Sequence, residues 1–156
     1  MSIDVFTKLE EIVIGAYKGS DLDMFYFDTP RRNELMRKVT EFLPKGALIL
    51  DAGCAPGFTS LALKLLGFTV FSLDIEPEPY KEILERYGCK VIKADLERGC
   101  IPLPTESMDG VIFTEVLEHL NPYYISSTMC ELNRVLKTGG ILIPQHAKHR
   151  EYWEKS

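Results

Sequence analysis

Five short apolar runs recur along this chain: "ALILDAG", "TVFSLDI", "CKVIKADL", "GVIFTEV" and "ILIPQ". They are short, strand-like runs, and "ALILDAG" is continuously apolar, as a strand buried on both faces would be. Segments of helical spacing lie between them. "FTSLALKLLG" closes at Gly67, and "EPYKEILERYG" carries Tyr80, Ile83, Leu84 and Tyr87 on one stripe before Gly88. "PYYISSTMCELNRVLKTGG" predicts a helix with Ile125, Met129, Leu132 and Leu136 on its buried side. "ERGCIPLPTESMD" reads as a loop. Strands alternating with helices of this length require a parallel sheet, covered on both faces and joined by right-handed crossovers.

Upstream, residues 4–18 predict a helix, with Phe6, Leu9, Ile12, Val13 and Tyr17 near helical spacing. A second helix starts at the cap Thr29 and Pro30 and runs to about Leu43. The loop between them carries the aromatic cluster Phe25, Tyr26 and Phe27. At 156 residues the chain reads as one domain: a helical lid segment (1–43), an α/β core (44–147) and a tail (148–156).

The chain is 46% hydrophobic and 26% charged, as in ordinary globular proteins, and has no apolar run long enough to cross a bilayer. "MSIDVFTKLEE" has acidic residues and no apolar core, unlike a secretory signal. Cys54, Cys89, Cys100 and Cys130 form no CxxC pair, so a disulfide framework or metal clip is disfavoured and a reducing, cytoplasmic setting is expected. A formal charge of −5 argues against duplex nucleic acid as partner, although "RRNELMRK" is locally basic.

In such a sheet, ligands bind at the carboxyl ends of the strands. The first strand ends in "ILDAGCAPG", where Gly53 permits a turn and Gly57 would let a ligand approach the backbone. The dinucleotide fingerprint G-x-G-x-x-G would fall on Gly53, Ala55 and Phe58, and Phe58 is too large for the third slot. Asp74 ends the second strand about 20 residues on, where a carboxylate accepts hydrogen bonds from ribose hydroxyls. Asp95 ends the third, within reach of an adenine edge. Together these point to an adenosine-containing ligand.

From about Asn33 to Arg150 the sequence resembles the class I S-adenosylmethionine-dependent methyltransferases. "LILDAGCAPGFTSLAL", "FSLDI", "IKADLE", "MDGVIFTEVLEHL" and "ELNRVLKTGGILI" carry the resemblance, in order. It implies an α/β, Rossmann-like, doubly wound sheet of five mainly parallel strands in the order 3-2-1-4-5. It also implies S-adenosyl-L-methionine as cofactor and S-adenosyl-L-homocysteine as product. Asp51, Gly53, Cys54, Ala55 and Gly57 would contact the methionine moiety, with Ala55 where glycine is usual. Asp74 would hold the ribose and Ile75 would pack on adenine. Asp95 and Leu96 would meet the adenine edge, and Glu115 would sit beside the methyl donor.

Glu115, Glu118 and His119 form the one dense titratable cluster. On one reading they shape the loop. On another His119 is a general base, with Glu115 beside it and Tyr26 lining the acceptor pocket. On a third, Glu115, Glu118 and His119 with His146 or His149 resemble the metal site of small-RNA 2′-O-methyltransferases. The usual family fold adds a C-terminal β-hairpin that this sequence does not supply. The exposed fifth strand would then be blunted by Pro144 or paired in a homodimer. The acceptor would be a small molecule or a protein. The alternative is a binding module that is non-catalytic or completed by a partner.

Overall fold

The computed structural model describes residues 3–19 and 29–145. Its elements run α1 (Ile3–Tyr17), α2 (Thr29–Phe42), β1 (Leu48–Ala52), α3 (Phe58–Leu65), β2 (Thr69–Asp74), α4 (Glu78–Arg86), β3 (Lys90–Lys93), β4 (Met108–Thr114), α5 (Ile125–Val135) and β5 (Leu136–Gln145). The sheet order is β3-β2-β1-β4-β5, and each described strand pair is parallel. This is the predicted doubly wound architecture.

Side-chain alternation along the strands divides the core in two. Ile49, Val70 and Ile112 point to one face, where they meet Val13 and Tyr17 of α1, Met36 and Val39 of α2, Leu61 of α3 and Leu84 of α4. Leu50, Leu73, Val111 and Phe113 point to the other face, under Ile101 and under Leu132 and Val135 of α5. The crossovers α3 and α4 therefore lie on one face and α5 on the opposite one. The direction of winding reverses between β1 and β4, and a crevice opens there at the strands' carboxyl ends.

One boundary differs from the periodicity. The last helix ends at Val135, and Leu136 is already extended (φ −78°, ψ 131°) and paired with Met108. Polar contacts to β4 and the turn before it hold the start of "LKTGG" out of the helix. The Lys137 ammonium meets Asp109 at 2.8 Å, and the Thr138 hydroxyl donates to Glu106 at 2.7 Å. Gly139 (φ +81°) then carries a shift in register, and pairing resumes at Gly110–Ile141. Leu136 thus belongs to the strand, not to the helical stripe. No helix among the described residues is long and apolar enough to cross a membrane.

Candidate functional site

The loop after β1 is tied down at both ends. The Gly53 and Cys54 amides both donate to the Leu73 carbonyl, at 2.8 and 3.0 Å, anchoring the turn to the end of β2. Gly53 has φ +76°, and a Cβ there would strike the Val116 side chain. The Ala55 amide donates to Asp74 Oδ2 at 3.0 Å, while Asp74 Oδ1 accepts from the Glu76 amide at 3.2 Å. The Asp74 carboxylate is thereby fixed against the loop, and its remaining lone pairs can accept from hydroxyl groups.

These residues wall a cavity of about 940 Å³ at the strand switch point. Gly53, Cys54, Ala55, Asp74 and Ile75 form one side, and Asp95 and Leu96 after β3 form another. Glu115 and His119 after β4 also line it. Ile75 is a large apolar side chain left 56% exposed, so it offers a flat aromatic group an apolar surface beside the Asp74 carboxylate. Carboxylate acceptors next to an apolar shelf, in a cavity of this size, fit an adenosyl group.

Two of the predicted residues lie off this cavity wall. Asp51 does not line the cavity. It shares the α3-facing side of β1 with Ile49 and is only 1% exposed. Its Oδ2 accepts from the Ser60 hydroxyl at 2.7 Å, and Ser60 Oγ accepts from the Ser72 hydroxyl at 2.7 Å. Burial raises the Asp51 pKa to about 6, against the lowering effect of the Ser60 bond. Gly57 also lies outside the cavity wall. A Cβ there would fall 2.5 Å from the Tyr17 hydroxyl and about 3.1 Å from Leu84, so its missing side chain makes room for α1 and α4.

Glu115 sits just past β4 with φ +56°, a conformation costing a non-glycine residue about 1–2 kcal/mol. Its amide donates to the Gln145 carbonyl at 2.7 Å, and its carboxylate meets Arg31 of α2 at 2.7 Å. His119 follows in a 3-10 turn, Leu117–His119. Tyr26, His146 and His149 lie outside the described residues, as do the loop aromatics and the side chain of Thr29. Among the described residues, no group of three His, Cys, Asp or Glu side chains is arranged to hold a metal.

Sequence reasoning missed Arg31, Arg32, Thr59, Arg98 and Gln145 on the cavity wall. The two α2 arginines stand in "RRNELMRK", read only as a basic patch. Arg31 reaches Glu115 past β4, and Arg32 lies over the Phe58 ring, through the way α2 crosses the sheet, which local sequence does not encode.

Residues 50–143 match the family described as "Methyltransferase domain". An uncharacterised methyltransferase of Bacillus subtilis is 32% identical over 98 residues, covering 61% of this chain and 41% of that protein. A Tropheryma whipplei demethylmenaquinone methyltransferase is 29% identical over 107 residues, covering 67% and 43%. A Synechocystis 2-methyl-6-phytyl-1,4-hydroquinone methyltransferase is 27% identical over 169 aligned positions, covering 94% and 52%. The chain spans about half the length of the curated relatives it matches. Among solved structures, a Pyrococcus horikoshii protein superposes with TM-score 0.69 at 23% identity, covering 90% of this chain and 69% of that one. An Aquifex aeolicus SAM-dependent methyltransferase superposes with TM-score 0.59 at 22% identity, covering 94% and 76%. The chain belongs to the methyltransferase-domain family, with the Rossmann-like fold of the class I S-adenosylmethionine-dependent methyltransferases.

Proposed function

We propose that this chain transfers a methyl group from S-adenosylmethionine to a small-molecule acceptor. One observation carries the reading: the glycine loop and the β2-end carboxylate are hydrogen-bonded to each other on the wall of one switch-point cavity. Asp74 would accept from the ribose hydroxyls, Ile75 would cover one adenine face, and Asp95 and Leu96 would bound the adenine edge. Gly53, Cys54 and Ala55 would border the methionine part.

The cofactor supplies a methyl group on a positively charged sulfur, already activated for displacement. The chain's task is mainly to align an acceptor in line with that bond and to keep water out. Leu35 and Phe58 give the acceptor side apolar walls, and Glu115 and His119 can take a proton from it. An acceptor that is already nucleophilic needs no such base. A small-molecule acceptor is supported by the two relatives named for demethylmenaquinone and 2-methyl-6-phytyl-1,4-hydroquinone. The net charge of −5 supports it over long nucleic acid.

Calorimetric titration with S-adenosylmethionine and S-adenosylhomocysteine, repeated on Asp74→Ala, tests the proposal. Micromolar binding that the substitution abolishes is expected. No binding to the unsubstituted protein refutes it. A reducing, cytoplasmic setting is supported by the four free cysteines, two of them buried. Homodimer formation along β5 is supported by that strand's pairing with β4 alone among the described strands. Light scattering that gives a monomer at micromolar concentration removes the dimer.

A further inference from the structure

We propose that Tyr17 of α1 is a positioning residue for the cofactor loop, holding Cys54–Gly57 in its binding shape through the Pro56 carbonyl. The inference rests on the reading above and adds α1 to the machinery of the site. The Tyr17 hydroxyl donates to the Pro56 carbonyl at 2.7 Å, across 39 residues of sequence. Tyr17 is 2% exposed, and its ring meets Phe58 edge-on with centroids 4.5 Å apart. The ring is therefore fixed by packing, and the hydroxyl has one well-defined place to donate.

The loop depends on that donor. Its leading half is secured by the Ala55 amide on Asp74, and its closing turn by the Gly57 amide on the Cys54 carbonyl at 2.6 Å. Pro56 has no amide proton, so it can be held only through its carbonyl. Gly57 completes the fit, since the Tyr17 hydroxyl occupies the space its side chain would fill. Burial also pushes the Tyr17 hydroxyl pKa well above its ordinary value, so the group stays a proton donor at any working pH. Cys54, Ala55 and Pro56 all face the cavity. A shift of the Pro56 carbonyl therefore moves the surface against which the cofactor would lie.

The test compares Tyr17→Phe with Val13→Ala, a cavity-forming change at a residue 1% exposed on the same helix. S-adenosylhomocysteine affinity is measured by calorimetry well below the melting temperature of each protein. Amide hydrogen exchange at Gly57 is followed alongside. Tyr17→Phe is expected to weaken binding about fivefold, the loss of one neutral hydrogen bond, and to speed exchange at Gly57. Val13→Ala is expected to lower the melting temperature and leave both readouts unchanged. Equal affinity and exchange in Tyr17→Phe and the unsubstituted protein overturn the proposal. So does an equal loss in Val13→Ala, which would make the effect one of general stability. If the unsubstituted protein binds no S-adenosylhomocysteine, the cofactor reading fails, and Gly57 exchange alone decides whether Tyr17 holds the loop. If Tyr17→Phe does not fold, Gly57→Ala displaces the same hydroxyl from the loop side and is expected to weaken binding likewise; unchanged binding there overturns the proposal.

Discussion

Replacing Asp51 by Asn should stabilise the protein, and increasingly so as pH rises. Asp51 is buried near the Gly53–Gly57 loop, with its Oδ2 hydrogen-bonded to Ser60. Burial raises its pKa from 3.8 to about 6. The folded state therefore holds the proton more tightly than the unfolded chain. Below about pH 4 both states are protonated and the group is neutral in its effect on stability. Between about pH 4 and pH 6 the unfolded chain ionises first, so stability falls as pH rises. Above that window the penalty levels off at roughly 3 kcal/mol. At about pH 5 it is about half developed. Asparagine keeps an oxygen for the Ser60 hydroxyl and cannot ionise. Urea denaturation of both proteins at about pH 5 and about pH 8 should show the stability difference roughly doubling, toward 3 kcal/mol. For a chain of this size that corresponds to a melting temperature about 6–12 °C higher at the upper pH. A difference that does not change with pH refutes the reasoning, as does an Asn variant less stable at about pH 8.

Ser60→Ala removes the hydroxyl that links Asp51 Oδ2 to Ser72, so denaturation should show a loss of about 1–3 kcal/mol. Combined with Asp51→Asn, the two effects should fail to add, which a double-mutant cycle detects. Gly53→Ala should cost more than about 1 kcal/mol, because φ is +76° and the new Cβ meets Val116; trimming Val116 to Ala in the same protein should recover part of the loss. Arg31→Gln should change stability by under about 1 kcal/mol, since the Arg31–Glu115 pair is 31% and 49% exposed, and the effect should shrink further in high salt. S-adenosylhomocysteine at about a hundredfold its dissociation constant should raise unfolding free energy by about 2.7 kcal/mol; no upward shift would count against a native-state site.

Much of this fold is legible in the sequence because it depends on local pattern. Continuous apolar runs mark β1, β2 and β4 as strands buried on both faces, and Gly67 and Gly88 end α3 and α4. The boundary at Leu136 is not legible this way, because Leu136 continues the helical stripe. It is overridden by Asp109 and Glu106, which hold Lys137 and Thr138 from a distant strand. The same division runs through the site. Asp74, Ile75, Asp95 and Leu96 sit where strands end, so counting along the chain finds them. Asp51 lies two residues from the loop, yet pleating turns it toward α3, which counting along the chain does not reveal. Arg31 and Tyr17 reach the site from helices outside the alternating pattern, and only three-dimensional packing brings them there.

The strand order also sets when the site can exist. β1 lies at the centre, yet its two neighbours come from opposite ends of the core: β2 follows at once, while β4 starts at Met108, 56 residues after β1 ends at Ala52. Asp109 of β4 accepts from the Leu48 amide at 2.8 Å, so even the start of β1 is finished by this late segment. A chain emerging from the ribosome can assemble β3-β2-β1 early, with one face of that half-sheet still lacking α5. Glu115, His119 and Gln145 arrive only afterwards. The glycine loop is thus formed before the β4 side of the cavity that faces it.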